Sequence, residues 1–178
     1  MMIVALTCAV SLVAMNNPKM IDALILCPPA VVRDKEYYRL ISYGLIHADF
    51  QHLLFNMITL NFFGRVMESF YNDAMGDFGF AFFYVLGLVA SILPTYLKQR
   101  NNSRYRSLGA SGAVSAVLFA FILFQPWALI YVFFLPVPAI IYAVLYVGYT
   151  IYSERRGGDN INPSAHLWRA AYGIIFTL

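Results

Sequence analysis

Six apolar runs alternate with polar connections along the chain, at residues 1–15, 53–71, 78–97, 109–125, 127–152 and 165–178. A helix that crosses the hydrocarbon core of a bilayer takes about 20 residues, or about 17 at the short end. The first and last runs fall short of that and need their flanking residues to reach the headgroups. Six spans take up most of the 178 residues and leave only short loops. The pattern therefore predicts an all-α membrane protein: a single domain over residues 1–178, a compact bundle of six transmembrane helices, and no soluble domain. The first run has neither a basic n-region nor an Ala-x-Ala cleavage pattern, which predicts a retained helix rather than a secretory signal.

The connections carry their own signals. Asn16-Asn17-Pro18-Lys19 stops the first run, since proline and the asparagines break a helical pattern. The long connection 21–46 has Tyr37, Leu40, Ile41 and Leu45 interleaved with Arg33, Asp34, Lys35, Glu36, Arg39 and Ser42. That spacing predicts a loop between helices 1 and 2 lying in the membrane interface. Asp49 is placed to cap the second helix, because its carboxylate can accept from the open amides of the first turn. In the fourth run Gly109, Gly112, Ala113, Ser115, Ala116 and Ala120 leave one side almost without bulk. Such faces let neighbouring backbones approach closely, so this helix belongs at the centre of the bundle. Pro136 and Pro138 predict a bend in the fifth helix. The segment 154–160, with Gly157-Gly158 inside it, reads as a polar loop before the sixth.

Composition strengthens the membrane reading. Charged residues are 12% of the chain and hydrophobic ones 61%, whereas a soluble domain carries about twice that charge. A net charge of +3 suits anionic headgroups and is too small to suggest nucleic acid as a partner. Cys8 and Cys27 have no metal or redox spacing and read as apolar filler. Ten of the twelve basic residues fall in alternate connections: Lys19, Arg33, Lys35 and Arg39, then Lys98, Arg100, Arg104 and Arg106, then Arg155 and Arg156. By the positive-inside rule that side faces the cytoplasm.

Against this background the polar residues at helix heads stand out. His47, His52 and Asn56 lie in His-Ala-Asp-Phe-Gln-His-Leu-Leu-Phe-Asn, at the start of the second run. Gly109-Ala110-Ser111-Gly112 opens the fourth, and His166 heads the sixth. Strongly polar groups at bilayer depth are costly and mark function by default. Taken singly, each has a plain structural explanation. A serine in a membrane helix bonds back to a carbonyl one turn earlier. A lone histidine is a hydrogen-bonded core group, and His52 with Asn56, four apart on one face, can be an inter-helix polar contact. Taken together they have the parts of a hydrolytic site: a serine between glycines that leave its hydroxyl accessible, a base to activate it, and two donors for an oxyanion. His-x4-His is poor ligand spacing and no His-Glu-x-x-His occurs, so neither a metal nor another cofactor is expected.

These motifs resemble those of the rhomboid intramembrane serine proteases, from about Tyr37 to the end of the chain. The resemblance rests on His47-x4-His52-x3-Asn56, on Gly109-Ala110-Ser111-Gly112 and on Ala165-His166. Tyr38-Arg39 also stands where the family often has Trp-Arg, and Glu68 where it commonly keeps a glutamate. It implies a six-helix rhomboid-like bundle with a Ser111–His166 catalytic dyad. His52, Asn56 and the Ser111 backbone N–H would bind the oxyanion, with Gly109 shaping that turn. His47, Arg39 and Glu68 would be structural support, His47 bracing the first loop and supporting His52. The implied partners are transmembrane-protein substrates and the lipid bilayer. The Gly157-Gly158 loop would act as a cap and the fifth helix as part of a lateral gate. A multi-pass protein of the bacterial cell membrane is the implied location.

Three positions depart from the family pattern. Arg169 replaces the first glycine of Ala-His-x-x-Gly-x-x-x-Gly while Gly173 keeps the second, which predicts reduced activity. Ser115 stands where some members stack an aromatic on the catalytic histidine, and Tyr38 replaces the usual tryptophan. Bacterial members put the site-bearing face outside, opposite to the charge count, and the dyad geometry favours the family orientation. A rhomboid-like protein that holds transmembrane clients without cleaving them is the alternative, favoured by Arg169. A channel with a histidine-lined proton path would need polar residues along several helices, and the fifth run has almost none.

Overall fold

The computed structural model describes residues 1–132, 134–156 and 163–178, without the side chains of 149–156, 163–167 and 169. It is mostly helical. Helix α1 spans Met2–Met15 and ends at Asn16. Asn17 then caps α2, Pro18–Leu24, by accepting from the Met20 amide, with Pro18 in the first turn, where its missing N–H is no loss. The expected interfacial loop is a set of short pieces: α2, α3 (Pro28–Arg33), α4 (Arg39–Ser42) and a 3-10 turn at Tyr43–Leu45. Asp49 caps α5, Phe50–Met75, as its spacing predicts, accepting from the His52 amide at 2.7 Å. Helices α6, Gly79–Gln99, and α7, Ser111–Phe124, follow, then α8, Ala139–Arg156, and α9, Pro163–Thr177.

Each apolar run thus contains a helix, but the fifth run is not one bent helix. Nearly its first half forms a two-stranded ribbon, β1 (Leu129–Val132) against β2 (Leu135–Pro138), and α8 starts only at Ala139. The prolines explain the correction. Pro136 and Pro138 cannot donate to a helix, but two residues apart they take the same parity of a strand ladder, leaving Leu135 and Val137 as donors. The ribbon is tied to α8 through Ala139 N–H to Ala128 O and Ile140 N–H to Pro126 O.

Helix α7 lies at the centre. From Gly112 to Ile122 only Ser115 escapes full burial, and α5, α6, α8 and α9 all pack against it. Close approach is built into the crossing with α9: a Cβ on Gly173 would press on the Ala116 carbonyl oxygen. Helices α5, α7 and α9 run parallel. Asn56 and Ser111 share a cavity at one end, Phe70 packs on Phe124 at the other, and Tyr71 Oη meets Thr177 Oγ1 at 2.6 Å. Among the described residues one helix, Gly79–Gln99, is by itself long and apolar enough to cross a membrane. Met2–Met15, Ser111–Phe124 and the Ala139–Gly148 part of α8 are apolar but shorter.

Candidate active site

The turn before α7 is held by backbone and side chain from the first loop. Leu26 and Ser107 exchange both of their backbone hydrogen bonds, at 3.0 and 3.2 Å. Gly109 N–H donates to Tyr43 O at 2.9 Å, and Ala110 N–H donates to His47 Nε2 at 3.3 Å. Gly109 has φ +109, a conformation that an L side chain rarely adopts. A Cβ there would also lie 2.7 Å from His52 Cε1, so the glycine is needed for its backbone and for the histidine ring beside it. Ser111 then opens α7, and Ala110 at the N-cap supplies no side-chain cap. The first-turn N–H groups of Ser111 and Gly112 have no intrahelical acceptor and carry the positive end of the helix dipole.

Ser111 and Asn56 line one cavity of about 180 Å³, together with Thr59, Ser115, Tyr142 and Tyr146. Asn56 Nδ2 donates to the His52 carbonyl at 2.8 Å, which fixes the amide plane and leaves its second N–H for the cavity side. Ser115 Oγ donates back to the Ser111 carbonyl at 2.7 Å. His52 does not line this cavity; it reaches the turn through Gly109 and sets its ring edge-on to His47, 5.0 Å between centroids. The fold therefore brings Ser111, Asn56, His52 and Gly109 to one end of α5 and α7. His166 belongs to the first turns of α9, but its side chain, that of Arg169 and the Gly157-Gly158 loop lie outside the described residues.

The three residues expected as support differ in what they touch. His47 is 1% exposed and is held at both ring nitrogens, by Ala110 N–H at Nε2 and by Ser11 Oγ at Nδ1, 2.9 Å away. Burial first, then the neighbouring His52, pushes its pKa down to about 4, with Asp49 opposing. It is neutral at pH 7. Arg39 is 8% exposed; it donates to Glu36 Oε2 at 2.5 Å and to the carbonyls of Asp22 and Ile25 at 2.7 Å each. It thereby pins the end of α2 to α4. Glu68 lies toward the far end of α5 and pairs with the Met1 ammonium at 3.3 Å, far along the helix from the serine. Among the described residues, no three His, Cys, Asp or Glu side chains gather to hold a metal ion.

Sequence reading missed Ser11, which is fully buried and bonded to His47. The rule that flagged the histidines, a polar group in an apolar helix, applies equally to Ser11 in α1. Tyr142 and Tyr146, which wall the cavity from α8, gave no local signal, because their placement depends on where that helix starts.

The chain is similar to known proteins over most of its length. The family model described as a Rhomboid domain matches residues 34–178. RHOMBOID-like protein 12, mitochondrial, of Arabidopsis thaliana is 34% identical over 150 residues, covering 78% of this chain and 45% of that protein. RHOMBOID-like protein 4 of the same plant is 37% identical over 92 residues, covering 49% of this chain and 21% of that protein. The chain thus spans less than half the length of either relative. Both relatives are plant proteins and one is named mitochondrial, so a bacterial cell membrane finds no support here.

Proposed function

The chain belongs to the rhomboid family of membrane proteins, and on that premise we propose that it is an intramembrane serine endopeptidase that cuts transmembrane protein substrates. Ser111 Oγ attacks the scissile carbonyl while His166 takes the serine proton. The oxyanion so formed is held by the Ser111 N–H, Asn56 Nδ2 and the His52 ring, with Gly109 keeping the turn open. His166 returns its proton to the leaving amine, and the amine departs. Water then attacks the acyl-serine and gives one proton to His166, which passes it to the Ser111 oxygen as the ester opens; the acid product releases its remaining proton to solvent. No metal or other cofactor is needed for this sequence.

The observation that carries the reading is the register of α7 and α9. They run parallel and touch at Ala116 and Gly173. Ser111 precedes Ala116 by five residues, about 8 Å along its helix, and His166 precedes Gly173 by seven, about 10 Å. Seven residues is two turns, so position 166 lies two turns before Gly173 on α9. Similar heights on neighbouring parallel helices support the pairing of Ser111 with His166. The short α7 sets the depth. Its 14 residues reach about 21 Å, less than the roughly 30 Å of hydrocarbon, which supports a Ser111 below the membrane surface. A substrate helix there keeps its carbonyls bonded within itself. Cleavage then favours small residues at the cut and helix-weakening residues nearby, which free the backbone to enter beside Gly109.

We read α1, α5, α6, α7, α8 and α9 as the six membrane helices. The second reading, a rhomboid-like protein that binds clients without cleaving them, is favoured by Arg169 in place of a glycine one turn from His166. Reconstitution into liposomes with a transmembrane substrate decides between them. Cleavage by the wild type that is abolished in Ser111→Ala and in His166→Ala supports the protease. Client binding without cleavage by the wild type supports the other.

A further inference from the structure

Helix α1 reaches the site by one polar side chain. Ser11 is fully buried, and its Oγ donates to the Leu45 carbonyl at 2.8 Å while lying 2.9 Å from His47 Nδ1. With the Ser11 proton directed at Leu45, its oxygen is left to accept, so His47 carries its proton on Nδ1. His47 Nε2 then has a lone pair, and Ala110 N–H donates to it. The result is a relay in one direction, from Ala110 N–H to His47, from His47 to Ser11, and from Ser11 to the Leu45 carbonyl. Every donor in it is matched to an acceptor in a buried place, where an unmatched one is costly.

The relay decides which amides of the turn are available. Gly109 N–H is taken by Tyr43 O and Ala110 N–H by His47, while the first-turn amides of Ser111, Gly112 and Ala113 have no acceptor within the helix. Without the Ser11 hydroxyl, His47 Nδ1–H has lost its acceptor. The Nε2–H tautomer would point a second donor at Ala110 N–H, and the turn that presents Ser111 would shift. We infer that Ser11 is a positioning residue for the nucleophile, acting through the His47 tautomer to fix the Ala110–Ser111 turn. The inference about rate rests on the protease reading; the tautomer itself does not.

Nitrogen-15 NMR of the histidine-labelled chain in bicelles tests it, with the His47 signals assigned by their loss in His47→Gln. The expected spectrum at pH 7 has His47 protonated at Nδ1 and bare at Nε2, with Ser11→Ala changing or mixing the tautomers. Serine labelling by a fluorophosphonate should fall on the order of ten- to a hundredfold in Ser11→Ala, a displacement of a fraction of an ångström being enough. Ser11→Thr, which restores a hydroxyl, should recover most of the rate. Wild-type His47 protonated at Nε2, or Ser11→Ala labelled at the wild-type rate, would overturn the inference. Wild type that takes no label while showing the Nδ1 tautomer would overturn the protease reading and leave the relay standing.

Discussion

Replacing Gly173 with alanine adds a single methyl group where α7 and α9 cross. That methyl would press on the Ala116 carbonyl oxygen and lie 3.0 Å from both the Ala116 Cα and its carbonyl carbon. Carbon atoms rest at about 3.5–4.0 Å, so the helices must part by roughly 0.5–1 Å. The obstacle is backbone, which cannot rotate away as a side chain does. Overpacking of this kind costs about 1–3 kcal/mol. The site amplifies it, because Ser111 and His166 lie about two turns or less from the crossing on the two helices being pushed apart, and an error near 1 Å is enough to lose about a hundredfold in rate. Gly173→Ala should therefore unfold at lower temperature in detergent. Well below that transition it should also label with a fluorophosphonate and cut a reconstituted substrate about ten- to a hundredfold more slowly. Unchanged unfolding temperature together with unchanged rates would refute the argument that this contact sets the spacing of nucleophile and base.

Other perturbations have defined outcomes. His47 is held neutral with a pKa near 4 against an ordinary value of 6.5, so the unfolded chain takes up a proton first on acidification. Its contribution is complete above about pH 6.5 and fades as pH falls toward 4, a loss of about 3 kcal/mol in all. Thermal unfolding in detergent between pH 7.5 and 4 should show that slope, and a His47→Gln variant with the same slope would contradict it. Gly109→Ala forces a side chain into positive φ and against His52; strain of about 1–3 kcal/mol and loss of most cleavage are expected, and full activity would contradict the turn as drawn. Arg39→Ala strands Glu36 and two carbonyls, so it should lower stability by about 3 kcal/mol, measured by denaturation. Arg39→Lys should recover only part of that, since lysine lacks the fork that reaches three acceptors.

What could be read in the sequence was local or periodic. The Asp49 cap follows from one side chain and the amide three residues on. The central place of α7 follows from a stripe of small residues that has only one use in a membrane. The fifth run misled because a run of apolar residues carries no sign of strand or helix by itself. There the parity of Pro136 and Pro138 was the usable signal, and it points to a strand ladder. The seat of His52 against Gly109 and the link from Ser11 to Ala110 join residues more than 50 positions apart or pass through a third element. No window along the chain contains such contacts. Glu68 shows the converse: its position was legible, while its partner, the ammonium of Met1, is set by how α1 lies along α5.

The central claim is that Ser111 is a nucleophile activated by His166. Fluorophosphonate labelling of the purified, membrane-reconstituted chain tests it directly, followed by mass spectrometry of the modified peptide. The account predicts a single adduct on Ser111 in the wild type, none in Ser111→Ala, and none above background in His166→Ala, even though that variant keeps the serine. An unlabelled wild type, or a His166→Ala protein labelled as fast as the wild type, would contradict it.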